Sequence, residues 1–127
     1  MERVKIEVEY VFRASPQVLY QFFIMPDRLI RWFCDAVYID DNVFTFEWNG
    51  SSEEAILIED IENTLVRFSW SEQDEDEFFE FDLSISPVTG DTILMVRDFC
   101  DADEIKDQEA LWDSQLKQLK RETGEGL

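Results

Sequence analysis

Polar and apolar residues alternate strictly at the start of the chain. Val4, Ile6, Val8, Tyr10 and Phe12 point one way, and Arg3, Lys5, Glu7 and Glu9 the other. That period of two belongs to a strand with one face on a core and one in water. At Ser15-Pro16 the period changes. Serine is a good helix N-cap and proline suits the first helical position, so a helix is expected from here. Its apolar side carries Val18, Leu19, Phe22 and Phe23. Pro26-Asp27 ends it and opens a second short helix with Leu29, Ile30, Trp32 and Phe33 as its apolar set.

From Cys34 onward the period returns to two. Ala36–Ile39 and Val43–Trp48 read as strands around a turn at Asp40-Asp41-Asn42, with Phe44, Phe46 and Trp48 on one face. A turn at Asn49-Gly50-Ser51-Ser52 leads to a strand over Ala55–Ile61, and Glu62-Asn63 turns the chain into Leu65–Trp70. Phe78–Ile85 and Asp91–Phe99 form a last hairpin through Ser86-Pro87-Val88-Thr89-Gly90. Six strands in quick succession imply an antiparallel meander.

The chain then enters an amphipathic helix. Asp101 and Glu104 have the spacing of a capping box, and Ile105, Trp112, Leu116 and Leu119 form an apolar stripe with Leu111 at its margin. Lys117, Lys120 and Arg121 suit the negative end of the helix dipole, and Gly124 is a natural stop. The order β-α-α-β6-α describes one α+β domain over residues 1–127, without repeat or linker.

Composition narrows the function. The 127 residues include 30 Asp+Glu, 11 Lys+Arg and no His, for a formal net charge of −19. Spread over the roughly 7,000 Å² that a folded chain of this mass exposes, that charge repels phosphate backbones and anionic membrane surfaces. Nucleic acid is excluded as a partner. The missing histidine removes every triad or dyad built on imidazole, and the commonest metal ligand. With 45% hydrophobic residues the chain is too apolar to be a disordered acidic segment. Cys34 and Cys100 lie far apart in apolar surroundings, so both are expected to be buried and reduced. No signal peptide and no apolar run of membrane-spanning length is visible, so a cytoplasmic location without membrane insertion is expected. Nothing implies a cofactor or a metal.

The detail within this order carries a resemblance. Ala14-Ser15-Pro16 before the first helix, Pro26 opening the second and Trp32-Phe33 closing it resemble the START-like (Bet v 1-like, SRPBCC) superfamily. More narrowly, the chain is similar to the domains named after the activator of the Hsp90 ATPase and to a small bacterial START-like subgroup of uncharacterised proteins. Phe44-Thr45-Phe46-Glu47-Trp48-Asn49-Gly50 resembles that group's strand and turn, and Val66-Arg67-Phe68-Ser69-Trp70 its later aromatic strand. Thr92 after Gly90-Asp91, and Leu111-Trp112 followed by Leu116 and Leu119, fit as well. The resemblance covers roughly residues 3–122. It implies a helix-grip fold, a curved antiparallel sheet around a long final helix, with a space for apolar ligands between them.

The candidate ligand-binding residues follow from alternation. Phe44, Phe46, Trp48, Phe68, Trp70, Phe79 and Phe81 occupy inward-type strand positions, facing Trp112 and Leu116 of the last helix, with Trp32 nearby. Such rings either fill the space as core or line a pocket. Their bulk consumes volume, so solid core is expected for most of them and any cavity is expected to be small. Arg67 should point outward, between Val66 and Phe68. Arg97 shares a face with Ile93, Met95 and Phe99; outward it would pair with a strand carboxylate, and inward it could hold the polar end of a ligand.

The acidic run from Glu72 to Glu77 reads as a solvated hairpin tip, without the oxygen spacing and glycine of a calcium loop. Asp98, Asp101, Asp103 and Glu104 form a second cluster, explained by the start of the helix. Asp98 or Asp35, in apolar settings, could have a raised pKa and act as a base. An inward carboxylate beside a roomy cavity would be needed for that. The leading function is non-catalytic binding of a small apolar or amphipathic ligand between sheet and helix. The alternative is a protein-interaction module of the co-chaperone kind that holds a basic protein partner through its acidic surface. A polyketide-cyclase-type enzyme stands third.

Overall fold

The computed structural model describes residues 2–74 and 76–125; Glu75, within the acidic run, lies outside them. Seven strands form one antiparallel sheet. They are β1 (Arg3–Phe12), β2 (Ala36–Asp40), β3 (Val43–Trp48), β4 (Ser51–Ile61), β5 (Leu65–Trp70), β6 (Phe79–Ile85) and β7 (Thr92–Asp101). Their order is β1-β7-β6-β5-β4-β3-β2, so the first strand closes on the last and the rest is the expected meander. Helices α1 (Pro16–Ile24) and α2 (Pro26–Leu29) follow β1, and α3 (Ile105–Glu122) follows a 3-10 turn over Ala102–Glu104. The curved sheet grips α3, as the helix-grip fold requires.

Local chemistry explains most of the boundaries. The backbone N–H of Val18 donates to the Ser15 hydroxyl over 3.2 Å, with Pro16 at the first helical position. Asn49 and Gly50 both have positive φ (50° and 83°), the requirement of a tight two-residue hairpin. That turn is shorter than expected: Ser51 and Ser52 already belong to β4. Helix α2 is also shorter, a single turn ending at Leu29, and Trp32 and Phe33 lie in the bend after it. Ile30 of the expected apolar set stays exposed.

The anticipated capping box does not form. Asp101 is the last residue of β7, and its carboxylate accepts from Arg3 Nη1 at 3.0 Å. Neither the 3-10 turn nor α3 has a side-chain cap. Three residues between the strand and α3 are too few for a free N-cap, so the turn leads straight into the helix.

On the inner face the core is aromatic. Phe23 of α1 stacks on Phe81 of β6 with centroids 4.3 Å apart, and Phe44, Phe46, Phe68 and Phe79 interlock across β3, β5 and β6. Trp112, Leu116 and Leu119 of α3 close over them, all buried, while Leu111 remains exposed. The Thr92 hydroxyl donates to the Ala14 carbonyl at 2.7 Å and ties β7 to the approach of α1.

On the outer face charges alternate. Glu7, Arg97, Glu80, Arg67 and Glu59 stand directly opposite one another on β1, β7, β6, β5 and β4. Arg97 bonds Glu7 (2.6 Å), Glu80 (2.7 Å) and Asp82 (2.8 Å), and Arg67 bonds Glu80 (2.6 Å). Glu80, shared by both guanidiniums, is only 2% exposed.

Candidate functional site

One end of the sheet stays open under α3. Between them lies a cleft of about 580 Å³, within the range of small-molecule sites. Its rings come from strand ends: Trp48 closes β3, Trp70 closes β5 and Phe79 opens β6. Trp112 comes from the underside of α3, and Phe33 from the bend after α2. They are held in place. The Trp48 indole N–H donates to the Phe33 carbonyl at 2.6 Å. Trp70 stacks on Phe79 with centroids 4.8 Å apart, and Trp48 sits 6.1 Å from Trp70.

The mouth is polar. Glu53 and Glu54 of β4, and Glu72 and Gln73 of the β5–β6 tip, border the sheet side. Gln108, Leu111 and Gln115 border the helix side. Leu111 was legible as the margin of the α3 stripe; the sequence pattern hid the others because their polarity reads as solvent-facing. Only Glu53 carries a signal: it shares the parity of Ala55 and Leu57, which point to the core.

Asp98 forms the inner polar wall. Strand parity puts it with Leu94 and Val96, which are buried, while Arg97 faces out. Its Oδ2 accepts from the Trp112 indole N–H (2.9 Å) and the Gln108 amide (2.8 Å), and Oδ1 from the Phe99 backbone N–H (2.8 Å). Burial pushes its pKa above the ordinary carboxylate value, and the three hydrogen bonds oppose that shift. Asp35 differs: it is exposed, and its carboxylate accepts from the Asn49 backbone N–H.

Of the residues expected to bind a ligand, Trp48, Trp70, Phe79 and Trp112 meet at this cleft. Phe44, Phe46, Phe68, Phe81 and Leu116 do not border it; they pack deeper as solid core. Trp32 borders a separate shallow depression of about 290 Å³ beside Arg31 and Gln118, and its indole N–H donates to the Phe22 carbonyl. Of the two directions open to Arg97 the structure has the outward one, so Arg97 leaves the set of ligand-binding candidates. Its face of β7 is the outer one, so the guanidinium serves the charge row and borders neither the cleft nor the shallow depression.

The acidic run also needs correction. Glu77 is buried, accepts from Arg3 Nη2 at 2.6 Å and is held below its ordinary pKa by that guanidinium, so the tip is not wholly solvated. Among the described residues, Asp101, Asp103 and Glu104 are the one carboxylate group close enough to share a cation, their oxygens within 4.8 Å. Arg3 already neutralises Asp101 there. Both cysteines are free and buried, and burial lifts the Cys34 thiol to about 12. No helix among the described residues is long and apolar enough to cross a membrane.

The comparisons agree with this architecture. A family model described as a START-like superfamily domain matches residues 1–125. The solution structure of BfR322 from Bacteroides fragilis is 35% identical, with a TM-score of 0.69, covering 98% of this chain and 93% of that one. The Aha1 dimer from Colwellia psychrerythraea shares the fold at 20% identity and TM-score 0.81, over 97% of this chain and 98% of that one. CalU16 from Micromonospora echinospora shares it at 18% identity and TM-score 0.73, over 92% and 74%. No curated protein matches the chain by sequence.

Proposed function

The chain belongs to the START-like superfamily, and on that premise we propose that it binds a small amphipathic ligand in the cleft between the sheet and α3. The observation that carries this is the cleft itself: about 580 Å³, ringed by Trp48, Trp70, Phe79 and Trp112 and open to water on one side. Apolar surface desolvated against these rings supplies affinity, and the polar mouth orients the ligand. A saturable rise in melting temperature with a non-ionic amphiphile such as 1-decanol tests it. Leu111→Trp, placing an indole from the exposed margin of α3 over the opening, should abolish that rise. A decanol response unchanged in Leu111→Trp would refute binding at this place.

A second reading has its own observation. Asp98 is an inward carboxylate beside a roomy cavity, the arrangement that acid–base catalysis needs. Its oxygens already accept three hydrogen bonds, which suits an anchoring role better than proton transfer. Turnover of a bound ligand that is lost in Asp98→Asn, with binding retained, would favour catalysis.

A further inference from the structure

We infer that the polar end of the ligand is a cation, an ammonium or a similarly charged nitrogen; this rests on the cleft being a ligand site. Four carboxylates border the cleft, those of Glu53, Glu54, Glu72 and Asp98, and no lysine or arginine does so among the described residues. Arg31 lines the neighbouring shallow depression and not the cleft, and three other arginines are engaged elsewhere. Arg3, Arg67 and Arg97 are paired on the outer face of the sheet. At the far end of α3, Lys120 sits 5.2 Å from the Phe12 ring, away from the opening. Within the described residues no ion pair involves Glu53, Glu54 or Glu72, so their charge faces the mouth uncompensated.

The rings add a second attraction of the same sign. Trp48 and Trp70 line the cleft and are only partly buried, and the faces of such rings attract cations electrostatically, whereas Phe79 is stacked between Phe68 and Trp70. An anionic head would meet repulsion from the carboxylates and from the ring faces together. A neutral head would leave both unused. Only a cation satisfies wall and rim at once, with its hydrocarbon part against the indoles.

Three probes with one tail separate the head groups: decyltrimethylammonium, 1-decanol and decanoate, each below its micelle threshold in physiological salt, read by tryptophan fluorescence and melting temperature. The ammonium should bind about tenfold tighter than decanol, the scale of one partly desolvated cation–π or charge contact, and decanoate should bind weakest. In Glu53→Gln/Glu72→Gln the ammonium-to-decanol ratio should fall toward one. Asp40→Asn/Asp41→Asn removes equal charge at the opposite end of β3 and should keep the ratio, which excludes attraction by the whole molecule. Decanoate binding as tightly as the ammonium, or an equal loss of ratio in both double variants, would overturn the inference while leaving the cleft a ligand site. Binding of none of the three would remove the site, and the inference with it.

Discussion

Asp98 and Arg97 are neighbours on β7 with opposite fates. Asp98 is buried with its pKa raised, so the folded state holds its proton more tightly than the unfolded chain does. The stability linked to this group is fully present below the unfolded carboxylate pKa and is lost as pH rises through the raised folded value. Asn at 98 does not titrate. Wild type should therefore gain on Asp98→Asn as pH falls from neutral toward the ordinary carboxylate range in denaturant unfolding; a loss relative to Asp98→Asn over that fall would mean the hydrogen bonds outweigh burial. Trp112→Phe removes the indole donor from Oδ2 and should cost roughly 1–3 kcal/mol, as for a buried acceptor losing a partner. Calorimetry at pH 7 checks it. Alternation alone placed Asp98 with Leu94 and Val96. The sequence names Asp98 beside Asp35 as a carboxylate in an apolar setting but does not choose between them; only the three-dimensional approach of Gln108 and Trp112 supplies the donors that let Asp98 stay inside.

Elements were legible where one local rule decided them. Ser15-Pro16 fixed the start of α1, and the period of two placed all seven strands to within a few residues, because pleat and burial share that period. Ends went astray where tertiary contacts decide: β7 runs on to Asp101 because β1 supplies partners as far as Arg3, which takes the carboxylate expected to cap α3. The charge row across five strands was invisible too, since register joins residues far apart in sequence. Glu80 is its keystone. Glu80→Gln keeps the shape but weakens two guanidinium contacts, and should lower stability by about 1–3 kcal/mol, discounted because Arg67 and Arg97 are partly solvated. Urea unfolding measures this. Glu59→Gln, at the end of the row with a 3.7 Å contact, should cost less than about 1 kcal/mol.

For the whole molecule, net charge acts against compactness. At −19 with few cations, self-repulsion opposes folding, and salt screens it over about 8 Å at physiological strength. The melting temperature should rise as sodium chloride is added from near zero to that strength; a fall would show that the outer-face ion pairs dominate. The open cleft was the least legible feature at this scale. Ring count argued for a filled interior, and most rings do fill it, but the gap lies where strands end in Trp48 and Trp70 and α3 departs. The pairing of β1 with β7 carries a consequence for the order in which the chain assembles. Their partners lie from 80 residues apart, Phe12 with Thr92, to 98 apart, Arg3 with Asp101. On the ribosome, Ile6 and Phe12 emerge long before the strand that covers their flank, so the sheet cannot gain its first strand until β7 has been made. Such distant pairing slows folding. Until then the chain offers an unpaired apolar strand to its surroundings, and its dense negative charge is what keeps neighbouring nascent chains apart.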